Sequence, residues 1–461
     1  MKTFIQSYQS DLTPWSLFQR IHSCKESCFF LDSIKQQAPD QNFSYILFDP
    51  FLEVFPGFKN NQIHIKGLEK KTFESKNLFN ELRRMLKKYS PENKLKSSFF
   101  TGGLVGFWGY ESVQIFEDIK FREKDPALGP LFYQALFRNI IVYDHLQKKY
   151  HFVHHSSEKI KQKKCFDEIK QFFKPQRKKQ VVDFRFKKIK AVFSKKVFKE
   201  KVEVIKEYIR AGDVYQVNFS QRFDIETSGS KLSLYSMLRK INPSPFSSFL
   251  KIKNFEVISS SPERLVSVRN GKCETRPIAG TRPRKRGKTT VGQMQKELLA
   301  NVKEQAEHVM LIDLERNDLG RVCDWKTVKV EEMMLIEKYS HVMHIVSKIV
   351  GKLSYGKDAF DVLQAMFPGG TITGCPKIRC MELIDVLEPV KRGLYTGSLG
   401  YIDYAGNMDM NIIIRTLFFE KNRGSLQVGA GIVYDSRPDY EYVETLHKAK
   451  ALMEALKKAS K

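Results

Sequence analysis

Hydrophobic and polar residues alternate over short runs in the first third of the chain. FSYILFDP and FTGGLVGFWGY, broken apart by Pro, Gly and Asn turns, predict strands up to about Tyr150. From Val192 onward a longer period enters. KKVFKEKVEVIKEYIRAG carries apolar residues at helical spacing and stops at Gly212, so it predicts a helix. YQVNFSQRF, FLKI and FEVISSSPERLVSV then return to strand-like patterns. Such strands with long helices between them predict an α+β fold with antiparallel sheets. The texture divides the chain into a strand-rich region 1–150, a lysine-rich connecting segment 151–191 and a motif-bearing region 192–461.

Two further helical stretches hold acidic residues. In KELLANVKEQAEHVMLIDLERND, Leu298, Leu299, Val302, Ala306, Val309 and Met310 predict the buried stripe and leave Glu304 and Glu307 together on another face. In RPDYEYVETLHKAKALMEALKK, Pro438 suits the first turn, and Tyr442, Leu446, Ala449 and Met453 predict the buried stripe. Glu441, Glu444 and Lys448 line up beside it. Each helix therefore presents a carboxylate pair at i, i+3 spacing. Taken singly, such a pair reads as a solvated surface, because acidic residues are rarely buried.

Composition narrows the class. Of 461 residues, 42% are hydrophobic and 28% charged, a balance that fits a globular protein and excludes a disordered one. No apolar stretch reaches the roughly 18 residues of a membrane span, and MKTFIQSYQSD lacks the apolar core of a signal peptide. A cytoplasmic location is the expectation, with no membrane partner. Lys and Arg number 78 against 52 Asp and Glu, a net charge of +26 that raises nucleic-acid binding as a rival class. The excess gathers between Lys148 and Lys201 without zinc-finger spacing or an RNP-type aromatic motif, and reads as solvated helix face and linker. The seven cysteines show neither a C-x-x-C pair nor a Cys/His cluster, so neither structural zinc nor a disulfide framework is expected.

Three features carry candidate chemistry. FPGGTITGCPK is not a Walker A, since Cys375 and Pro376 stand where Lys and Ser/Thr are required, and VGAGIVYDS lacks the third glycine of a dinucleotide fingerprint. These runs read either as tight turns or as backbone N–H clusters that receive a carboxylate beside Thr371 and Thr373. Arg415, in the strand-like apolar run MDMNIIIRTLFF, calls for an anion, which is either a structural partner or a substrate carboxylate. His341 and His344 in SHVMHIVS lie on an apolar segment, where a histidine is more often a satisfied core residue than a catalytic one.

The order and wording of the blocks add what single residues do not. GDVYQVNFSQRF, NPSPFSSFL, SSSPERL, RPIAGTRPR, EQAEHVMLIDLERNDLGRV, EKYSHVMHIVS, FPGGTITGCPKIRCMELID, YTGSLGYID, GNMDMNIIIRTL and VGAGIVYDSRPDYEYVETLHKAKAL follow one another from about Asp213 to Leu456. In this the chain resembles the chorismate-utilising enzymes, a family that includes the large subunits of anthranilate synthase and aminodeoxychorismate synthase. FSYILFDP and GGLVGFWGYE carry a weaker resemblance of region 1–150 to the N-terminal part of anthranilate synthase component I. The resemblance implies a chorismate-binding fold, with large antiparallel β-sheets packed as a sandwich, helices outside, and a catalytic domain over 192–461.

It also implies roles for matching positions. Glu307 and Glu444 match the carboxylates that bind one Mg²⁺, with Glu304 and Glu441 behind them or acting through water; a hard cation of this kind prefers oxygen ligands. Tyr395, Arg415 and the backbone of Gly429, Ala430 and Gly431 match the groups that hold the substrate carboxylates, with Lys448 near the metal and the ring carboxylate. Thr281, His344 and Thr371 match positions lining the ring, and Glu263 matches the carboxyl that protonates the departing C4 hydroxyl, a task that needs a raised pKa.

Gln216 stands where family members that add water have a lysine base, so ammonia is the implied nucleophile. DVYQVN, NPSPFSSFL, SSSPERL, FPGGTITG, GNMDMN and FLDS (Phe30 to Ser33) look closer to aminodeoxychorismate synthase, which implies 4-amino-4-deoxychorismate as product and a place in folate synthesis. Ala279 points the other way, toward anthranilate synthase, because aminodeoxychorismate synthases commonly carry a nucleophilic lysine there. None of the seven cysteines lies in a Gly-x-Cys-x-Gly elbow, so a separate glutamine amidotransferase subunit, or free ammonia, is the expected nitrogen source.

Overall fold

The computed structural model describes residues 1–34, 42–57, 62–93, 97–124, 128–156, 159–175, 183–283, 292, 300–338 and 342–460. Its ladders are antiparallel, and a long strand pair, Phe43–Pro56 against Phe132–Asp144, joins two arms of sheet. One arm continues from Phe43–Pro56 through Ser27–Asp32, Phe246–Ile252, Phe255–Ser261, Thr416–Glu420 and Arg423–Ile432 to Gln216–Ser228. The other runs from Phe132–Asp144 through Gly103–Trp108, Ser398–Asp403, Met408–Ile412, Arg264–Arg269 and Lys272–Thr275 to Val342–Lys352. Regions 1–150 and 192–461 are thus hydrogen-bonded to each other at both Ser27–Asp32 and Gly103–Trp108.

The two-residue period of a strand decides the layers. Phe29, Leu250, Val257 and Phe418 of the first arm meet Val105, Phe107 and Leu399 of the second in a central core. On the opposite faces, Cys28 and Phe30 pack with Trp15 and Phe18 of the Pro14–His22 helix, while Val217 and Phe219 pack with Phe198 and Val202 of the Lys195–Arg210 helix. The result is an α+β sandwich with helices outside.

Two expectations need correction. The lysine-rich segment does more than connect. Lys149–Ser156 pairs with both Lys2–Tyr8 and Phe132–Asp144, and Arg185–Ala191 pairs with Gln216–Ser228. Between them the Lys159–Gln171 helix buries Cys165, Phe166 and Ile169 and leaves Lys163 and Lys164 exposed on its outer face. In the Val302–Gly320 helix, Ala306 is exposed and Val309 is 39% exposed. The inward stripe is His308, Leu311, Ile312, Glu315, Asp318 and Leu319, because sheet and neighbouring helices supply polar partners that make a mixed face tolerable. Leu298, Leu299 and His341 lie outside the described residues. Among the described residues no helix is long and apolar enough to cross a membrane.

Candidate active site

The pleat of one strand pair lays the floor of the site. In Gln216–Ser228 the odd residues face helices, so Gln216, Asn218 and Ser220 point the other way; in Arg423–Ile432 the same alternation turns Gln427, Gly429 and Gly431 to that face. Glycine is required there by space. A Cβ on Gly431 would fall 2.3 Å from Gln216 Nε2, and one on Gly429 would fall 2.5 Å from Asn218 Oδ1 and 2.8 Å from the Tyr395 hydroxyl. The buried Gln216 Oε1 and Asn218 Oδ1 accept no hydrogen bond within the described protein, so both are available to a bound molecule.

Two helices bring carboxylates to this floor. Asn301 caps the Val302–Gly320 helix by accepting the Glu304 N–H at 3.1 Å, and one turn on, Glu307 Oε1 accepts from Gln216 Nε2 at 2.9 Å. The Pro438–Ala459 helix presents Glu444 and Lys448, which pair at 2.9 Å, and the Lys448 ammonium also donates to the Gly429 carbonyl at 2.9 Å. Burial is the main cause that raises the Glu307 pKa, and the like charges of Glu304 and Glu444 add to it against Lys448. The two i, i+3 pairs read separately from sequence therefore contribute to one cluster through Glu304, Glu307 and Glu444. Glu441 lies one turn before Glu444 on its helix, half-buried.

Lys448 ties this cluster to a second one. Glu263, in the turn between Phe255–Ser261 and Arg264–Arg269, is buried, and burial lifts its pKa from 4.5 to about 7. The Thr371 hydroxyl donates to its Oε1 at 2.9 Å, and the charges of Arg415 and Lys448 oppose the rise. Arg415 is in a bend between Met408–Ile412 and Thr416–Glu420 with φ +50°, not within a strand as its apolar surroundings suggested. Leaving the ladder lets its side chain reach a charge. The glycine-rich run resolves as a turn: Ile372 and Thr373 N–H groups donate to Gly369 and Gly370 carbonyls, so they do not form an open carboxylate nest.

Ala279, Thr281 and His344 occupy a neighbouring strand pair, Ile278–Pro283 with Val342–Lys352. Ala279 is opposite Ile345, Thr281 opposite His344, and a register shift falls between them. His344 is buried, and since a carbonyl can only accept, its Nδ1–H donates to Gly280 O at 3.0 Å, which places a proton on Nδ1. This pair meets the carboxylate helix where His308, beside Glu307, bonds Ser347 Oγ at 2.7 Å. Burial lowers the His308 pKa to about 4, so the ring is neutral.

A half-protonated acid, two cationic side chains, a carboxylate cluster around the raised Glu307 and unpartnered amide acceptors suit proton delivery to an anionic, oxygen-rich molecule. Sequence reading missed Asn218, His308 and Glu315. Glu315 and Asp318 continue the helical spacing begun at Glu304 and Glu307, a signal present in the pattern.

Comparison with known proteins places the chain in a class. A profile of the chorismate binding enzymes matches residues 26–454. Anthranilate synthase component 1 of Aquifex aeolicus is 39% identical over 96% of this chain and 92% of its own length. Aminodeoxychorismate synthase component 1 of Bacillus subtilis is 43% identical over 77% of each chain. The crystal structure of anthranilate synthase component I from Streptococcus pneumoniae superposes with a TM-score of 0.80 at 32% identity, covering 91% of this chain and 94% of that one. The chain belongs to the chorismate-binding enzyme family and is a chorismate-utilising enzyme.

Proposed function

We propose that the chain aminates chorismate in a Mg²⁺-dependent reaction whose product is 4-amino-4-deoxychorismate. The observation that carries the chemistry is Glu263, a buried carboxyl with a pKa near 7 that Thr371 holds in place. When the C4–O bond breaks, the electron pair leaves with the oxygen, and the Glu263 proton turns a poor leaving group into water. Thr371, Arg415 and Lys448 stabilise the carboxylate left behind. Arg415, Tyr395 and the backbone of Gly429, Ala430 and Gly431 hold the substrate carboxylates, and His344, Thr281, Gln216 and Ala279 border the ring.

The metal fits the donor chemistry. The like charges of Glu304 and Glu444 help raise the Glu307 pKa, a repulsion that a hard divalent cation among oxygens relieves. No group of three or more His, Cys, Asp or Glu residues among the described ones forms a ready-made metal cage, so Glu307 and Glu444 would hold the ion together with substrate oxygens, with Glu304 and Glu441 behind them. A Mg²⁺ ion held by these carboxylates would supply polarisation of the ring carboxylate.

Ammonia is the nucleophile, released from glutamine by a separate amidotransferase subunit. The position it attacks sets the product. Similarity to the B. subtilis aminodeoxychorismate synthase component 1 and the wording of the blocks support attack at C4. A specific observation favours a second reading, anthranilate formation: Ala279 supplies no amine for a covalent adduct, and the A. aeolicus anthranilate synthase aligns over nearly the whole chain. Incubation with chorismate, Mg²⁺ and ammonium, followed by the lyase that completes 4-aminobenzoate synthesis, separates the two. 4-Aminobenzoate appearing only with the lyase supports the first reading; anthranilate without it establishes the second.

A further inference from the structure

Arg392 and Glu388 form a buried ion pair that hydrogen-bonds to no side chain assigned to substrate yet is bonded to the backbone beneath several of them. The guanidinium is 3% exposed, and its Nε and Nη2 donate to the two Glu388 oxygens at 2.9 and 2.6 Å. Its remaining N–H groups reach in two directions. Nη1 donates to the Ile372 carbonyl at 2.9 Å, at the end of the turn that carries Thr371, and Nη2 donates to the Asn218 carbonyl at 2.6 Å, in the strand that carries Gln216. The cation also faces the rings of Tyr395, 5.5 Å to its centroid, and Tyr110, at 4.8 Å.

Glu388 extends the frame. It accepts from the Ser220 N–H at 2.9 Å and the Ser220 hydroxyl at 2.7 Å, and Ser220 Oγ in turn accepts from Gln427 Nε2 at 2.8 Å, in the strand of Gly429 and Gly431. The buried Glu111 anchors the frame from the other side by accepting the backbone N–H groups of Arg392 and Gly393 at 2.7 and 2.9 Å.

A planar fork with five donors can hold a carboxylate and two carbonyls at fixed relative positions, which lysine cannot. We propose that the Arg392–Glu388 pair is the positioning element of the site, setting Thr371, and through it the Glu263 carboxyl, against Tyr395 and the Gly429–Gly431 backbone. The inference rests on the substrate contacts proposed above. A buried ion pair contributes little net stability compared with apolar residues of similar volume, so retention of such a pair calls for another role. Precise placement of an acid against a bound substrate is one that a small displacement impairs strongly.

The full-length chain is assayed with chorismate, Mg²⁺ and ammonium. Arg392→Lys keeps the charge and loses the fork; kcat is expected to fall at least tenfold, chorismate KM to rise severalfold, and the descending pH limb that reports Glu263 to move. The paired replacement Arg392→Met with Glu388→Leu removes both charges and keeps volume, so it is expected to melt near the wild type yet remain at least tenfold slower. Recovery of both melting temperature and kcat to within threefold in that pair overturns the proposal, since a merely structural pair behaves so. Should either core variant fail to fold, Ser220→Ala decides. It removes one hydroxyl from the frame, and the expected result is a kcat loss of about threefold at nearly unchanged melting temperature, whereas unchanged kcat overturns the proposal. Tyr395→Phe separates the two levels. An unaltered chorismate KM there sinks the substrate-site reading, while a raised KM beside normal Arg392 variants sinks the positioning role alone.

Discussion

The Val302–Gly320 helix handles acidic residues differently at its two ends. Near its N-terminus, Glu307 is crowded by Glu304 and Glu444, and it accepts a hydrogen bond from the neutral amide of Gln216. About two turns further on Glu315 contacts the Thr275 hydroxyl at 2.6 Å, and about three turns on Asp318 meets the Lys377 ammonium at 2.6 Å. That hydroxyl has one hydrogen and also lies 2.8 Å from the Leu265 carbonyl, which can only accept, so Glu315 itself carries the proton. Burial raises the Glu315 pKa well above the ordinary carboxyl range, in accord with this. The far end is complete within the protein. On the proposed reading a ligand completes the near end, so that the same residue type serves stability in one half and chemistry in the other.

The comparison is broken most sharply at the acid. Glu263→Gln keeps the volume and removes the proton, so turnover should fall by roughly 10²- to 10⁴-fold with chorismate affinity retained, as read from kcat and direct binding. Stability should move the other way. A carboxyl raised from 4.5 to about 7 keeps its proton in the folded state where the unfolded chain has lost it. Its contribution is fully favourable below pH 4.5 and is lost as pH rises through 7, a difference of about 3 kcal/mol. The variant should therefore melt above the wild type at pH 8, with the gap closing below pH 4.5; a pH-independent gap contradicts the raised carboxyl.

The two ends of the helix are sharpened as a pair. Glu307→Ala should raise the Mg²⁺ concentration for half-maximal activity at least tenfold while the fold survives. Asp318→Asn should leave that concentration unchanged and lose about 3 kcal/mol in denaturant unfolding, because Lys377 is left buried without its charge partner. If Asp318→Asn alters the Mg²⁺ dependence and Glu307→Ala does not, the assignment of roles is reversed. Gly431→Ala drives a methyl against Gln216 and displaces it from Glu307, so a rise of about tenfold in chorismate KM, or roughly 1.4 kcal/mol, is expected from steady-state kinetics. The smallest effect belongs to Val309→Ser. On an exposed face it should change the unfolding free energy by less than about 0.5 kcal/mol, while burial as first expected from the helical pattern predicts a loss several times larger.

Element types and ordered blocks were legible because they depend on local period and wording. The two-residue and helical periods marked the strands and most helices, and Glu263, Glu307, Glu444, Arg415 and Lys448 were named from the blocks before any geometry. Local pattern misplaced what depends on distant neighbours. Val309 looked buried until the stripe carrying His308, Glu315 and Asp318 found Ser347, Thr275 and Lys377 on other elements. Arg415 looked like part of a strand until a positive φ turned it out of the ladder. The lysine-rich segment looked like a connector until its strands paired on both sides.

By itself the sequence determined the α+β class, the family, and which carboxylates are available, since these follow from residue order and short-range sterics. Tertiary structure alone decided that Lys448 joins the Glu263 and Glu307 clusters, that burial brings one carboxyl to about pKa 7, and that Arg392 lies beneath the site. Those properties arise from desolvation and from charges contributed by elements more than a hundred residues apart, and the folded chain is what brings them within interaction range.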